Sequence, residues 1–160
     1  MKASAPYFLF RCFLVSSPIL VFTFISDKKI FTAQLTNMPK TLLLIDNDPD
    51  DLYIFCEAVK EIDPGAECIT FHDCIGIEAK TAHKKKPDFI FLDLNMPFVN
   101  GKECLMHIKK IPQLQSIPVI IYSTTRLQKE KDEAFELGAY SFLTKPDTYE
   151  ELVNALKEIL

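Results

Sequence analysis

The sequence predicts a three-layer α/β domain, a doubly wound five-stranded parallel sheet with helices on both faces. Three observations carry this expectation. From Thr41 onward, five short apolar runs alternate with five longer amphipathic segments. The stretches between them are short and rich in Gly, Pro, Asp and Asn, which punctuate chain direction. The run TLLLI is continuously apolar, as suits a strand buried on both faces. Strands that alternate with helices through short loops form right-handed βαβ crossovers, and hence a parallel sheet.

The elements follow in order. TLLLI (41–45) is the first strand. In DLYIFCEAVKEI (51–62), Leu52, Phe55, Val59 and Ile62 recur at helical spacing, and Asp63-Pro64-Gly65 ends the helix. AECITF (66–71) is the second strand, and IGIEAKTAHKKK (75–86) a second helix of weaker pattern. DFIFLDL (88–94) is the third strand and KECLMHIKKI (102–111) the third helix. IPVIIYS (117–123) is the fourth strand, followed by a helix over 127–137 that Gly138 stops. AYSFLT (139–144) is the fifth strand, and TYEELVNALKEIL (148–160) is a closing helix.

Residues 1–37 differ from the rest and are expected to be an apolar extension to a domain spanning 38–160. The run from Phe13 to Ile25 is shorter than the roughly 20 residues of a spanning helix, and it contains two serines and a proline. A signal peptide, a weak membrane anchor and residues upstream of the true start are the three readings. The last is favoured, because Met38 opens MPKTLLLID, where a compact domain would begin. Were the run an anchor, Lys28 and Lys29 behind it would keep the domain in the cytoplasm.

Composition narrows the function. At 160 residues and 48% hydrophobic, the chain can bury one good core. A net charge of -4 excludes a non-specific nucleic-acid binder, which needs a basic face to neutralise phosphates. Cys12, Cys56, Cys68, Cys74 and Cys104 contain no CxxC pair, and His72, His83 and His107 no HxxxH pair. The cysteines are therefore expected as buried thiols in a reducing cytosol, not as a disulfide framework or a zinc site.

In a parallel sheet of this kind, ligands bind beyond the carboxyl ends of the strands. Those ends carry Asp46-Asn47-Asp48, Asp93-Leu94-Asn95-Met96-Pro97, Ser123-Thr124-Thr125 and Thr144-Lys145-Pro146. Carboxylates, an amide, hydroxyls and a lysine on one rim suit a divalent cation and a phosphoryl group. Oxygen ligands hold Mg²⁺, which takes only one or two carboxylates and keeps several waters. A carboxylate can attack phosphorus once a metal offsets the repulsion between the two anions, and a lysine and a hydroxyl can take the remaining oxygens. The four aspartates near residue 46 divide between two tasks. Asp46 and Asn47 face the crevice, while Asp48-Pro49-Asp50-Asp51 reads as an N-cap, a proline at the first helical position and acids that complement the helix dipole.

With these residues in place, the segment from about Lys40 to Leu160 resembles the receiver domains of two-component response regulators. That family has an acidic pair after strand one, a phosphorylated aspartate after strand three followed by an MPxxxG turn, a Ser or Thr after strand four, and Lys-Pro after strand five. Here these stand as Asp46-Asn47, Asp93 with MPFVNG (96–101), Ser123, and Lys145-Pro146.

The resemblance implies a flavodoxin-like sheet of strand order 2-1-3-4-5 and a stand-alone phosphoacceptor protein that is not an enzyme. It makes Asp93 the phosphoacceptor, with Asp46, Asn47, Asp93 and the backbone carbonyl of Asn95 around Mg²⁺. Ser123 follows the phosphoryl group, Lys145 pairs with it through a cis Lys145–Pro146 bond, and Ser123 with Phe142 forms the switch. Asn95 and Thr125 fall where the family tunes self-dephosphorylation. A sensor histidine kinase or a histidine phosphotransfer protein is the implied donor.

With no segment after the last helix, the output is expected to be contact with an unidentified downstream protein, with no direct nucleic-acid contact. A homodimer through the face of helix four, strand five and helix five and a cytoplasmic location complete the reading. One departure stands out, since Asn47 replaces a carboxylate that binds the metal. Asp51, one helical turn on, or Asp48 is expected to restore part of that charge.

Two other classes compete. A haloacid-dehalogenase-like phosphohydrolase could use Asp46-Asn47-Asp48 as a DxD motif, but it leaves Asp93 and its turn unexplained. A degenerate receiver that binds partners without phosphorylation is favoured by Asn47 and opposed by Asp93, Ser123 and Lys145.

Overall fold

The computed structural model describes the backbone of residues 11–15, 19–26 and 29–35, and the whole of residues 40–82, 85–97 and 100–160. The chain divides into two compact units, Met1–Met38 and Pro39–Leu160. In the first, β1 (Arg11–Val15), β2 (Ile19–Ser26) and β3 (Lys29–Leu35) form an antiparallel meander in that order. The sequence pattern of this segment predicts no strands. Its readings as leader, anchor or upstream extension rest largely on side chains outside the described residues. Among the described residues, no helix is long and apolar enough to cross a membrane.

The second unit holds β4 (Thr41–Ile45), α1 (Pro49–Ile62), β5 (Glu67–Phe71), α2 (Ile77–Thr81), β6 (Phe89–Leu92), α3 (Gly101–Ile108), β7 (Val119–Ser123), α4 (Gln128–Glu136), β8 (Ser141–Thr144) and α5 (Tyr149–Ile159). Its five strands are all parallel, in the order β5-β4-β6-β7-β8. This is the expected order 2-1-3-4-5.

Every residue of β4 is buried, and the pleat sends alternate side chains to opposite layers. Leu43 and Ile45 join Ile90, Leu92, Val119 and Ile121 beneath α2, α3 and α4. Leu42 and Leu44 join Phe91, Ile120 and Tyr122 beneath α1 and α5. In the second layer the Phe55 ring meets Phe91 and Tyr122 edge-on at 4.8 and 5.3 Å between centroids. The continuously apolar runs thus serve two cores at once, and they hold the strand ends at fixed height along one rim.

Helix termini follow local chemistry. Asp48 caps α1 by accepting from the Asp50 N–H at 2.9 Å, with Pro49 in the first turn. Gly138 closes α4 in a left-handed conformation (φ 96°), with Gly138 and Ala139 N–H bonded back to the Phe135 and Ala134 carbonyls.

Three expectations need correction. The second helix spans only Ile77–Thr81, not 75–86. It starts at left-handed Gly76 (φ 68°) without a side-chain cap, and Pro87 disfavours helix at the residue before it. The Lys145–Pro146 bond is trans, since no described peptide bond is cis. Trans is the intrinsically preferred isomer, and it already delivers the Lys145 ammonium to the rim. Four of the five cysteines, expected as separate thiols, are paired as Cys56–Cys68 and Cys74–Cys104, with Cα atoms 5.8 and 6.0 Å apart. Separations of 12 and 30 residues hid this, because packing of α1 on β5, and of the loop after β5 on α3, makes the neighbours.

In the chain-entropy treatment, loops of these lengths stabilise by about 3 kcal/mol each. Urea unfolding with and without dithiothreitol is therefore expected to show a loss of that order on reduction. An unchanged midpoint would mean that the bridges add nothing.

Candidate functional site

Three of the four buried polar or charged residues in the described chain lie at the carboxyl ends of neighbouring strands. Asp46 and Ser123 are 0% exposed and Asp93 is 4% exposed. They follow or end β4, β7 and β6, whose parallel pairing sets them side by side. The Asp46 N–H donates to the Phe71 carbonyl at 3.0 Å and the Asp93 N–H to the Ile45 carbonyl at 2.9 Å, which extends the ladder through both acids.

Lys145, just after β8, reaches across the rim. Its Nζ donates to Asp51 Oδ2 at 2.6 Å, to Asp46 Oδ2 at 2.7 Å and to Asp93 Oδ2 at 3.2 Å. The three donor hydrogens of an ammonium match three carboxylates. The Lys145 N–H is tied to the Ser123 carbonyl at 2.9 Å, and the Tyr122 ring centroid lies 5.3 Å from Nζ. The second oxygens of the two buried carboxylates are also engaged. Asp46 Oδ1 accepts from the Asp48 N–H at 2.9 Å, and Asp93 Oδ1 from the Asn95 N–H at 3.0 Å. Asn95 Nδ2 donates to Ser123 Oγ at 3.1 Å and Thr124 Oγ1 at 3.0 Å.

The expected residues Asp46, Asp93, Asn95, Ser123 and Lys145 therefore converge. Asn47 is exposed at the start of the loop. Phe142 is half-buried against the α3 and α4 layer, with Lys131 Nζ 5.1 Å from its ring centroid. Thr125 Oγ1 accepts from the Leu127 N–H at 3.4 Å, outside this cluster. Sequence reasoning missed Thr124 and Tyr122. Thr124 was visible only as one hydroxyl among three in a row, and Tyr122 looked like any core residue of its strand. Phe98 and Val99 of the expected turn lie outside the described residues.

Gly101, the last residue of that turn, is also the first residue of α3, buried, behind the cap Asn100. A Cβ there would lie 2.5 Å from the Asp93 carbonyl oxygen and 2.9 Å from that of Leu94. The helix start therefore abuts the loop that carries Asp93, and only hydrogen fits between them.

Burial raises the Asp46 pKa from its ordinary 3.8, against the lowering effects of Lys145 and the Asp48 N–H. Burial would lower Lys145, but its bonds to Asp46 and Asp51 and the charge of Asp93 more than offset this and raise it. An acid whose pKa is higher folded than unfolded binds protons more tightly when folded, so its stabilising effect is lost as pH rises through the folded value. Lys145→Met removes the lowering influence. In the cation-free protein it is expected to raise Asp46 further and to steepen the loss of stability above pH 3.8. Urea unfolding across an acid pH series checks this, and parallel curves for the two proteins would refute it.

The donors suit a hard divalent cation, since three carboxylates around one ammonium leave the rim net negative. Among the described residues, no three His, Cys, Asp or Glu side chains form a metal site by themselves.

Comparison with known proteins agrees with this geometry. A probable transcriptional regulator, ycf29, of Porphyra purpurea is 33% identical over 77% of this chain, which spans only 57% of that protein's length. Response regulator Rcp1 of Synechocystis sp. is 28% identical over 78% of this chain and 88% of its own. The phosphorylated cyanobacterial phytochrome response regulator RcpA superposes with a TM-score of 0.68 at 28% identity, covering 76% of this chain and 91% of that one. The Mn²⁺-bound form of Rcp1 does so with a TM-score of 0.65 at 28% identity, covering the same shares. The family model for the response regulator receiver domain matches residues 42–157, and the chain belongs to that family.

Proposed function

We propose that this chain is a phosphorylation switch in which Asp93 accepts a phosphoryl group from a phosphohistidine. The observation that carries the reading is the buried Asp93 carboxylate, held within 3.2 Å of the Lys145 ammonium at the rim of a parallel sheet. Asp93 Oδ2 attacks phosphorus, the phosphorus–nitrogen bond of the donor breaks, and its electron pair leaves on the imidazole, which is protonated. Lys145 exchanges Asp93 Oδ2 for phosphoryl oxygens as the new anion forms. Ser123 Oγ, which accepts from Asn95 in the resting state, donates its hydrogen to a phosphoryl oxygen.

Mg²⁺, held by Asp46, Asp93, the Asn95 carbonyl and the weaker amide of Asn47, would supply the charge that lets two anions approach. Movement of Ser123 frees space beside Phe142, and the face of α4, β8 and α5 changes its affinity for a partner protein or a second copy. The donor is a sensor kinase or phosphotransfer protein.

Two alternatives are weaker. Asp48, the second acid of a DxD phosphohydrolase motif, is engaged as the α1 cap. A phosphorylation-independent binding module remains a rival because Asn47 is neutral. Intact mass spectrometry of the full chain with acetyl phosphate, with and without Mg²⁺, separates it from the switch. The switch gains one phosphoryl group only with the cation; no gain, with a control receiver labelled in parallel, supports the binding module.

A further inference from the structure

Position 47 is neutral, yet the rim is not short of charge. Asp51 approaches Lys145 to 2.6 Å, the shortest of that ammonium's three carboxylate contacts. It comes from the first turn of α1, and its side chain is 35% exposed. Asp48 was the other candidate to restore charge, but its Oδ1 accepts from the Asp50 N–H. Asp46, Asp51 and Asp93 against one ammonium leave two net negative charges, the complement of a divalent cation. Without Asp51, only one would remain.

The arrangement also sets a competition. Asp46 Oδ2 and Asp93 Oδ2 are both engaged by Lys145, so a cation drawing on those oxygens competes with the ammonium. The ammonium then needs an anionic partner that the cation does not use. We propose that Asp51 is that partner. It is a positioning residue that replaces the carboxylate missing at position 47, anchors Lys145, and leaves Asp46 and Asp93 free to turn toward a divalent cation. This rests on the cation-dependent reading of the site given above.

Calorimetric titration of the full chain with Mn²⁺ and with Mg²⁺ tests it without any phosphoryl donor. Asp51→Asn is expected to weaken cation binding by about tenfold, as loss of one nearby unit charge in a partly screened site would. Asp50→Asn removes the same charge from the same helix turn but makes no Lys145 contact, and should change affinity by less than about twofold. Asn47→Asp placed in the Asp51→Asn background should recover most of the loss, and Asp51→Glu should retain most of the affinity. Neither rescue is expected if Asp51 merely supports the fold.

An Asp51→Asn protein that binds as tightly as the parent, or an equal loss in Asp50→Asn, overturns the role of Asp51 and leaves the cation reading standing. A parent protein that binds neither ion overturns both.

Discussion

Replacing Asp93 by asparagine is expected to abolish phosphoryl uptake while leaving the fold intact, or slightly more stable. The amide keeps the size of the carboxylate and can still accept from the Asn95 N–H, now 3.0 Å from Asp93 Oδ1. It lacks the anionic oxygen that must bond to phosphorus, and the other acids of the rim are engaged, Asp46 and Asp51 more closely by Lys145 and Asp48 as the α1 cap. Lys145 retains Asp46 and Asp51 at 2.7 and 2.6 Å. Removal of Asp93 also removes a repulsive charge that raises the Asp46 pKa. The gain should be on the order of 1 kcal/mol, the scale on which active-site charges typically cost stability. Intact mass spectrometry with acetyl phosphate and urea unfolding check the two halves. Uptake that persists in Asp93→Asn would place the acceptor elsewhere, and a large loss of stability would make Asp93 a structural residue first.

The second large effect is expected from Gly101→Ala. On helix propensity alone the change should help, because alanine is better than glycine by about 1 kcal/mol inside a helix. The contact geometry decides otherwise. The new methyl group would lie 2.5 Å from the Asp93 carbonyl oxygen and 2.9 Å from the Leu94 carbonyl oxygen. These are backbone atoms, so no side-chain rotation relieves them, and either α3 or the Asp93 loop must shift. Overpacking of this kind costs about 1–3 kcal/mol and exceeds the propensity gain. Because the displaced atoms belong to Asp93 itself, phosphoryl uptake should slow along with the loss of stability. Denaturant unfolding and uptake rates measured on the same protein test this. A Gly101→Ala variant as stable and as fast as the parent would show that the loop yields freely.

How much of this was legible in the sequence depends on the range of the interaction. Strand TLLLI and the cap at Asp48 were visible because each is decided within a few residues, by burial on both faces or by a side chain meeting its own helix. The rim residues Asp46, Asp93, Ser123 and Lys145 were visible because a parallel sheet carries all strand ends to one edge, so position along each strand is enough to gather them.

Interactions decided by a neighbour far along the chain were only partly visible. Asp51 and Lys145 are 94 residues apart, and the sequence could only suggest that one of two nearby acids made up for Asn47. The partner of each cysteine was hidden for the same reason. The tight fit at Gly101 was hidden too, because a close approach by another backbone segment leaves no local signature that differs from a turn.

The cysteine pairs have a consequence for where the domain can give. Both bridges lie toward the β5 edge of the sheet, one from α1 to β5 and the other from the loop after β5 to α3. From Leu105 onward the sequence contains no cysteine, so β7, α4, β8 and α5 are held without a covalent cross-link. The domain has a riveted side and an unriveted one, and Ser123 and Phe142 sit on the unriveted side. Compliance is graded across the sheet, and a push that starts at the rim meets stiffer resistance in one direction than in the other.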